Sequence, residues 1–367
     1  VRSGVTTTCC GLVIAVGLQL PVPPPASPPA AQGGPALPAY DLAWRKPIET
    51  TGAIELIATE RALIVTSPTS PLEARSLPDG KVLWTAAQPS PVAPARVGAL
   101  LFVAEGQSLS AIALDTGTRT WTLPLDEPLT HVAAAGDWVI AVAESSVRGV
   151  QARDGRQVWL QRLERPVSVR PALDTRHVYF APSSRWAGWR WHGELAAWDL
   201  ATGNERWRVP MEVPADELTV GRDRLFVRTH PSGLFSVKAD RGFVDWRLLP
   251  VIVIGRPAVD ADHVYLALLD NTVLALDHRG ARRWKTPLPG RPFTGPVLLG
   301  ETVAVPLVSG EVAAIDRQSG LLPKRDPSNL EIRPFQAFGL SPDAEWVFLV
   351  TTEFGSARNL SALRRRR

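Results

Sequence analysis

The sequence predicts an all-β fold: an eight-bladed propeller of four-stranded antiparallel blades. Three observations carry that expectation. Glycines recur at similar turns, at Gly80, Gly117, Gly155, Gly203, Gly242, Gly280 and Gly320. Six of them have a tryptophan four residues later: Trp84, Trp121, Trp159, Trp207, Trp246 and Trp284. With Trp44 included, successive tryptophans lie 40, 37, 38, 48, 39 and 38 residues apart. A period of about 40 residues belongs to repeat architectures.

Each repeat reads as one β module. The turns before the glycines vary, from "PDG" and "DTG" to "DLATG" and "DRQSG", yet the glycine-to-tryptophan distance holds. Glycine supplies a positive φ at the turn and so fixes the register of the next strand. Residues 129–159 contain strands at "THVAAA", "WVIAVA", "VRGVQA" and "QVWLQ". The same order recurs over residues 256–284. Four short antiparallel strands joined by tight turns make a propeller blade.

The tryptophan has a structural job on the last strand, where its ring packs between neighbouring sheets. A buried tryptophan removes about 150–250 Å² from water. At ~25 cal/mol/Å² that is a gross ~4–6 kcal/mol per site, an upper bound. Trp44, Trp84, Trp121, Trp159, Trp207, Trp246 and Trp284 are therefore read as blade-docking residues, with the seven glycines as their turns. At the seventh turn Lys324 stands where a tryptophan is expected.

Counting blades gives eight. Residues 335–363 hold three strands without a closing Trp strand. The segment "YDLAWRKP", residues 40–47, carries Trp44 and has no blade of its own. The N-terminal strand is expected to complete the last blade, which removes the open sheet edges.

The ends of the chain read differently. Residues 1–20 contain "CCGLVIAVGLQL", an apolar run of signal-peptide length, and are taken as an export signal or membrane anchor. Residues 21–39 form a Pro/Ala-rich linker. The propeller is placed at residues 40–363, and Arg364 to Arg367 as a basic, solvated tail. Cys9 and Cys10 are the only cysteines, and both lie in the first segment. Thr8 precedes Cys9 and the apolar stretch follows it, the reverse of a lipidation signal. The propeller thus has no disulfide framework and no thiolate metal site.

The net charge is +4, and the last four arginines account for all of it. A nucleic-acid partner would need a clustered basic footprint on the fold. The expected location is the periplasm or cell envelope, with the propeller monomeric and reaching a membrane only through its N-terminal segment.

The segment "AWDLATGNERW", residues 197–207, resembles the tryptophan-docking repeat of the pyrroloquinoline quinone (PQQ) propeller superfamily. "AIDRQSG", residues 314–320, matches its first half. Kelch repeats would need paired glycines, and WD40 repeats would need recurrent Trp-Asp. Within the superfamily, quinoprotein dehydrogenases bind PQQ and Ca²⁺ at the axis. Apart from turn acids such as Asp115 and Asp199, no cluster of oxygen ligands can be assembled from the sequence. The chain resembles instead the BamB family, which implies a non-enzymatic envelope scaffold whose partner is the outer-membrane barrel-assembly complex. On this reading there is no catalytic residue, no cofactor and no metal. A second class stays open: a PQQ- or sugar-binding propeller, with a quinoprotein-like dehydrogenase as its catalytic form.

One stretch breaks the rhythm. The Trp159-to-Trp207 interval is 48 residues, and the surplus lies in "APSSRWAGWRWHGEL", residues 181–195. Arg185, Trp186, Trp189, Arg190, Trp191 and His192 there are the candidate partner-binding residues. Tryptophan and arginine are enriched in interface hot spots. The alternative is an extended hairpin whose tryptophans pack onto a neighbouring blade. His177 and His263 sit at matching strand starts and read as repeat inheritance. No H-E-x-x-H, phosphate loop or G-x-S-x-G elbow occurs.

Overall fold

A computed structural model describes residues 40–50, 52–182, 185–187, 190–229, 233–309, 311–322, 335–341, 343, 345–352 and 358–366. Every regular element among these residues is a β-strand. The strands form eight antiparallel sheets, the blades of one propeller, numbered here in chain order. Blade 3 is representative, with strands Leu129–Ala135, Trp138–Ala143, Ser146–Gln151 and Gln157–Arg162 in sequential order. Blade 7 shows three strands among the described residues: Val297–Leu299, Thr302–Pro306 and Val312–Asp316.

The ring closes as the sequence implies. Tyr40–Ile48 pairs antiparallel with Arg358–Arg365 and so becomes the outer strand of blade 8. That last strand runs two residues beyond 363, because Arg364 and Arg365 pair with Asp41 and Tyr40. Nearby acids pair with two of the terminal arginines. Glu345 takes Arg364 at 2.7 Å, and Asp41 takes Arg366.

Burial follows position within the blade. The second strands are almost wholly buried, as in Ala62–Ser67 and Trp138–Ala143, and most third strands are largely so, as in Ser146–Gln151. The fourth strands alternate, with one face in the core and one in solvent, as in Arg119–Pro124. That matches the continuous apolar runs of central strands and the period-2 pattern of half-buried ones. Seven apolar clusters form among the described residues, each between two successive blades.

The tryptophans sit at the same seams. Each ring lies on the turn glycine of the following blade: Trp44 on Gly80, Trp84 on Gly117, Trp121 on Gly155 and Trp159 on Gly203. Trp207 on Gly242, Trp246 on Gly280 and Trp284 on Gly320 complete the series. Each indole N–H also donates to a backbone carbonyl of that same turn. The distances run from 2.6 Å for Trp44 to Leu77 up to 3.0 Å for Trp284 to Arg317. A Cβ at Gly155 would lie 2.6 Å from Cδ2 of Trp121, so only glycine lets the ring approach. Lys324, the residue at the seventh position, lies outside the described residues.

First strands contact one another between blades 8 and 1 and in turn from blade 2 through blade 6, so they line the axis. The turn between first and second strands and the turn between third and fourth strands therefore share one face. The connections between second and third strands, and between blades, share the other. This division places the candidate sites.

Candidate interaction face

The long connection of blade 4 is a second hairpin grown from the blade. Arg185–Ala187 pairs with the start of Arg190–Asp199, in the register Arg185 to His192, Trp186 to Trp191 and Ala187 to Arg190. The surplus residues at 181–195 thus extend two strands of the sheet. Trp189 lies outside the described residues, and so do the side chains of Arg185, Trp186, Arg190, Trp191 and His192. The hairpin rises from the face that carries the blade-to-blade connections.

Its base is fixed. Gly193 packs against the Val213–Pro214 backbone so tightly that a Cβ would lie 2.6 Å from the Val213 carbonyl oxygen. Glu194, the next residue, accepts from Arg165 and, at 3.3 Å, from Arg208. Arg208 also grips Glu205 at 2.6 Å. A pocket of about 290 Å³ opens beside this network, between blades 3 and 4, with Phe180 and Trp198 among its lining residues. Trp198 is buried, and its indole N–H has no partner among the described residues. Exposed Leu249, Ile252, Leu269 and Val308 lie on the same face, in the connections of blades 5 to 7.

A second feature lies on the axis, and the sequence reading missed it. Glu55, His131, Arg170, Glu217 and Arg256 each stand seven residues before the start of their blade's second strand. Aligning the repeats at that register would have revealed them, since the equivalent places in other blades are Ala93, Gly295 and Gly339. Arg170 donates to the carbonyls of Val132 at 2.9 Å and Pro94 at 2.7 Å, and comes within 3.9 Å of Glu55. It therefore reaches from blade 4 past blades 3 and 2 to blade 1. Arg256 donates to Glu217 at 2.9 Å.

Burial governs the electrostatics here. It pushes the Glu55 carboxyl above its ordinary range, with Arg170 and Arg256 pulling partly back. Burial also lowers Arg170, and burial together with the Arg170 charge lowers His131. Both axial carboxylates face a guanidinium, which leaves a Ca²⁺ ion no converging set of oxygens. No group of three or more His, Cys, Asp or Glu side chains among the described residues could hold a metal ion. The axial set does not fit the ion of a quinoprotein.

His177 and His263 are held as repeat partners. Asp174 accepts from the Arg176 and His177 amides at 2.6 Å and from the Tyr179 hydroxyl at 2.5 Å. Asp260 does the same for His263 and Tyr265, at 2.7 and 2.8 Å. The rings of Tyr179 and Tyr265 then pack on the docking residues Trp207 and Trp284.

Comparison with known proteins narrows the identity. The sequence profile of the family described as outer membrane protein assembly factor BamB matches in overlapping stretches: residues 36–166, 69–207, 143–251 and 191–331. The chain belongs to the BamB family. A search of curated proteins by sequence returns no match. Among solved structures, BamB from Moraxella catarrhalis is similar at a TM-score of 0.63 and 16% identity, over 89% of this chain and 100% of that one. The quinohemoprotein alcohol dehydrogenase from Comamonas testosteroni gives 0.65 and 12%, over 89% of this chain and 77% of that one. The computationally designed protein Ika8 gives 0.66 and 12%, over 84% and 95%. At these identities the likeness to the solved structures is one of fold, shared by BamB and by dehydrogenases alike.

Proposed function

We propose that this BamB-family chain is an exported, non-enzymatic scaffold of the cell envelope that binds a protein partner of the outer-membrane barrel-assembly complex. The hairpin of blade 4 carries the reading. It departs from the repeat, concentrates tryptophan and arginine, and stands on a base locked by Gly193, Glu194 and Arg208. A rigid scaffold that presents a long connection is a common basis for recognition. The apolar segment within residues 1–20 would direct export, and the linker at 21–39 would let the propeller stand off its attachment point.

In-cell crosslinking of the tagged chain, followed by mass spectrometry of the envelope fraction, tests this. Barrel-assembly components crosslinked through the hairpin support it. Replacing Trp186, Trp189 and Arg190 with alanine should abolish that capture and leave the melting temperature unchanged. A fall in melting temperature instead means the hairpin packs on its neighbour. A chain that captures no macromolecule sinks the proposal.

A second reading rests on the charged axis. Five ionisable side chains converge there, which suits a small polar ligand better than a protein surface. Titration of the chain with PQQ, with and without Ca²⁺, separates the two. Saturable PQQ binding lost in Arg170→Ala would favour the ligand reading.

A further inference from the structure

The face opposite the hairpin holds a cleft of about 1050 Å³. It is built from the first turns of blades 3, 4 and 5 and the last turn of blade 5. Small-molecule sites run to about 300–1,000 Å³, so this cleft admits more than one sugar-sized ring.

Its lining is unusual in two ways. Acidic and basic side chains line it in equal number, so its field selects neither an anion nor a cation. Several of these are already committed: Asp174 to Tyr179, and Lys238 to Asp223 at 3.4 Å. Asp137, Arg176 and Arg222 are not. They are exposed, and among the described residues their side chains make no hydrogen bond or ion pair.

The second feature is Trp138. It begins the second strand of blade 3, the place that Trp346 holds in blade 8. Trp346 is buried, with the Arg364 guanidinium 5.4 Å from its ring centroid and Phe348 stacked beside it. Trp138 has no such cover. Its ring is part-buried against the blade 3–4 core and open to the cleft, and its N–H has no partner among the described residues. Phe243 is 49% exposed on the same cleft.

We infer that this cleft binds a neutral oligosaccharide, with Trp138 as the stacking platform and Asp137, Arg176 and Arg222 as hydroxyl partners. The C–H face of a pyranose packs on an indole as other apolar surfaces do, and the indole N–H remains available as a donor. Adjacent hydroxyls accept from a guanidinium fork and donate to a carboxylate. A balanced lining repels a polyanion less than an acidic site would, and holds it less than a basic one. It therefore suits a ligand with many hydroxyls and no net charge.

Isothermal titration of the full chain with chitotriose and with maltotriose tests the site. Saturable binding of at least one, with Kd about 1 mM or tighter, is expected. Trp138→Ala should weaken it by about tenfold or more. Arg222→Ala, in an exposed turn, should weaken it severalfold and guards against a folding defect in the first variant. No saturable binding of either sugar overturns the inference, as does binding that both variants leave unchanged. Binding of the polyanion sucrose octasulfate without either neutral sugar overturns it as well.

Discussion

Replacing Gly155 with alanine separates the two roles that a turn glycine plays here. Gly155 has φ 72° and carries the Trp121 ring on its α-carbon. Gly136, in the same blade, has φ 55° and no heavy atom within 4 Å of where a Cβ would lie. The left-handed backbone alone costs an alanine about 1–2 kcal/mol, and both variants should show it. At Gly155 the added methyl must also displace the indole. Overpacking costs about 1–3 kcal/mol. Breaking the Trp121-to-Ala152 hydrogen bond, 3.0 Å long, adds about 0.5–1.5 kcal/mol. Gly155→Ala should therefore destabilise by ~3–6 kcal/mol and Gly136→Ala by ~1–2 kcal/mol. Urea unfolding followed by tryptophan fluorescence reads both. The double variant with Trp121→Ala adds a second check, because Gly155→Ala in that background should cost only the backbone term of ~1–2 kcal/mol. Equal losses at Gly155 and Gly136, or full additivity with Trp121→Ala, would refute the docking argument.

Three further outcomes follow from the contacts. Burial would raise the Asp174 carboxyl, but the Tyr179 hydroxyl and the Arg176 and His177 amides hold it below its ordinary value, and Asp260 behaves alike. A carboxylate with a depressed folded value stabilises above its ordinary range and loses that contribution as pH falls below about 4. Asp174→Ala should cost about 1–3 kcal/mol at pH 7 and flatten the acid limb of the stability profile; an unchanged acid limb contradicts it. Arg170→Ala removes the charge that offsets the burial of Glu55, so the Glu55 carboxyl should titrate still higher by carbon-13 NMR; a fall would show that the pair is not coupled across the axis. Trp44→Ala empties the seam that closes the ring and should cost about 3–5 kcal/mol, with aggregation on mild heating as the blade 8 edge opens; a cost below ~1 kcal/mol would mean the N-terminal strand is not a closing element.

Much of this fold was legible because its key interaction leaves a short repeated signature in the sequence, although each ring docks on the glycine of the following blade. A glycine, a fixed step and a tryptophan recur, and the step survives changes in turn length. The Gly280 turn shows why. It is one residue shorter than the others, with its amide bonded to Asp277 three residues back, yet Trp246 still donates to the His278 carbonyl. Closure was legible by subtraction, since three strands remained at one end and one at the other. The charged axis was not, because Glu55 and Arg170 are far apart in sequence and meet only when the ring brings the first strands of blades 1 and 4 to the axis. Trp138 was equally hidden. Nothing in its local sequence separates a tryptophan open to a cleft from one capped by an arginine.

The docking contact also explains where this propeller can change without unfolding. Each tryptophan binds a backbone carbonyl and a bare α-carbon, so the side chains between them are free to vary. The blade 4 insertion shows the consequence. It adds a hairpin between the second and third strands, upstream of the turn that receives Trp159. That turn is unaffected: Trp159 still lies on Gly203 and donates to Leu200 at 2.7 Å. The docking contact between blades 3 and 4 is thus kept beside the inserted hairpin. Trp198 lies in that same seam, within 6.4 Å of Trp159 and 4.9 Å of Phe180, and anchors the strand from which the hairpin grows. Stability resides in the glycine-tryptophan seams, and recognition can be added on the connections at little cost to them.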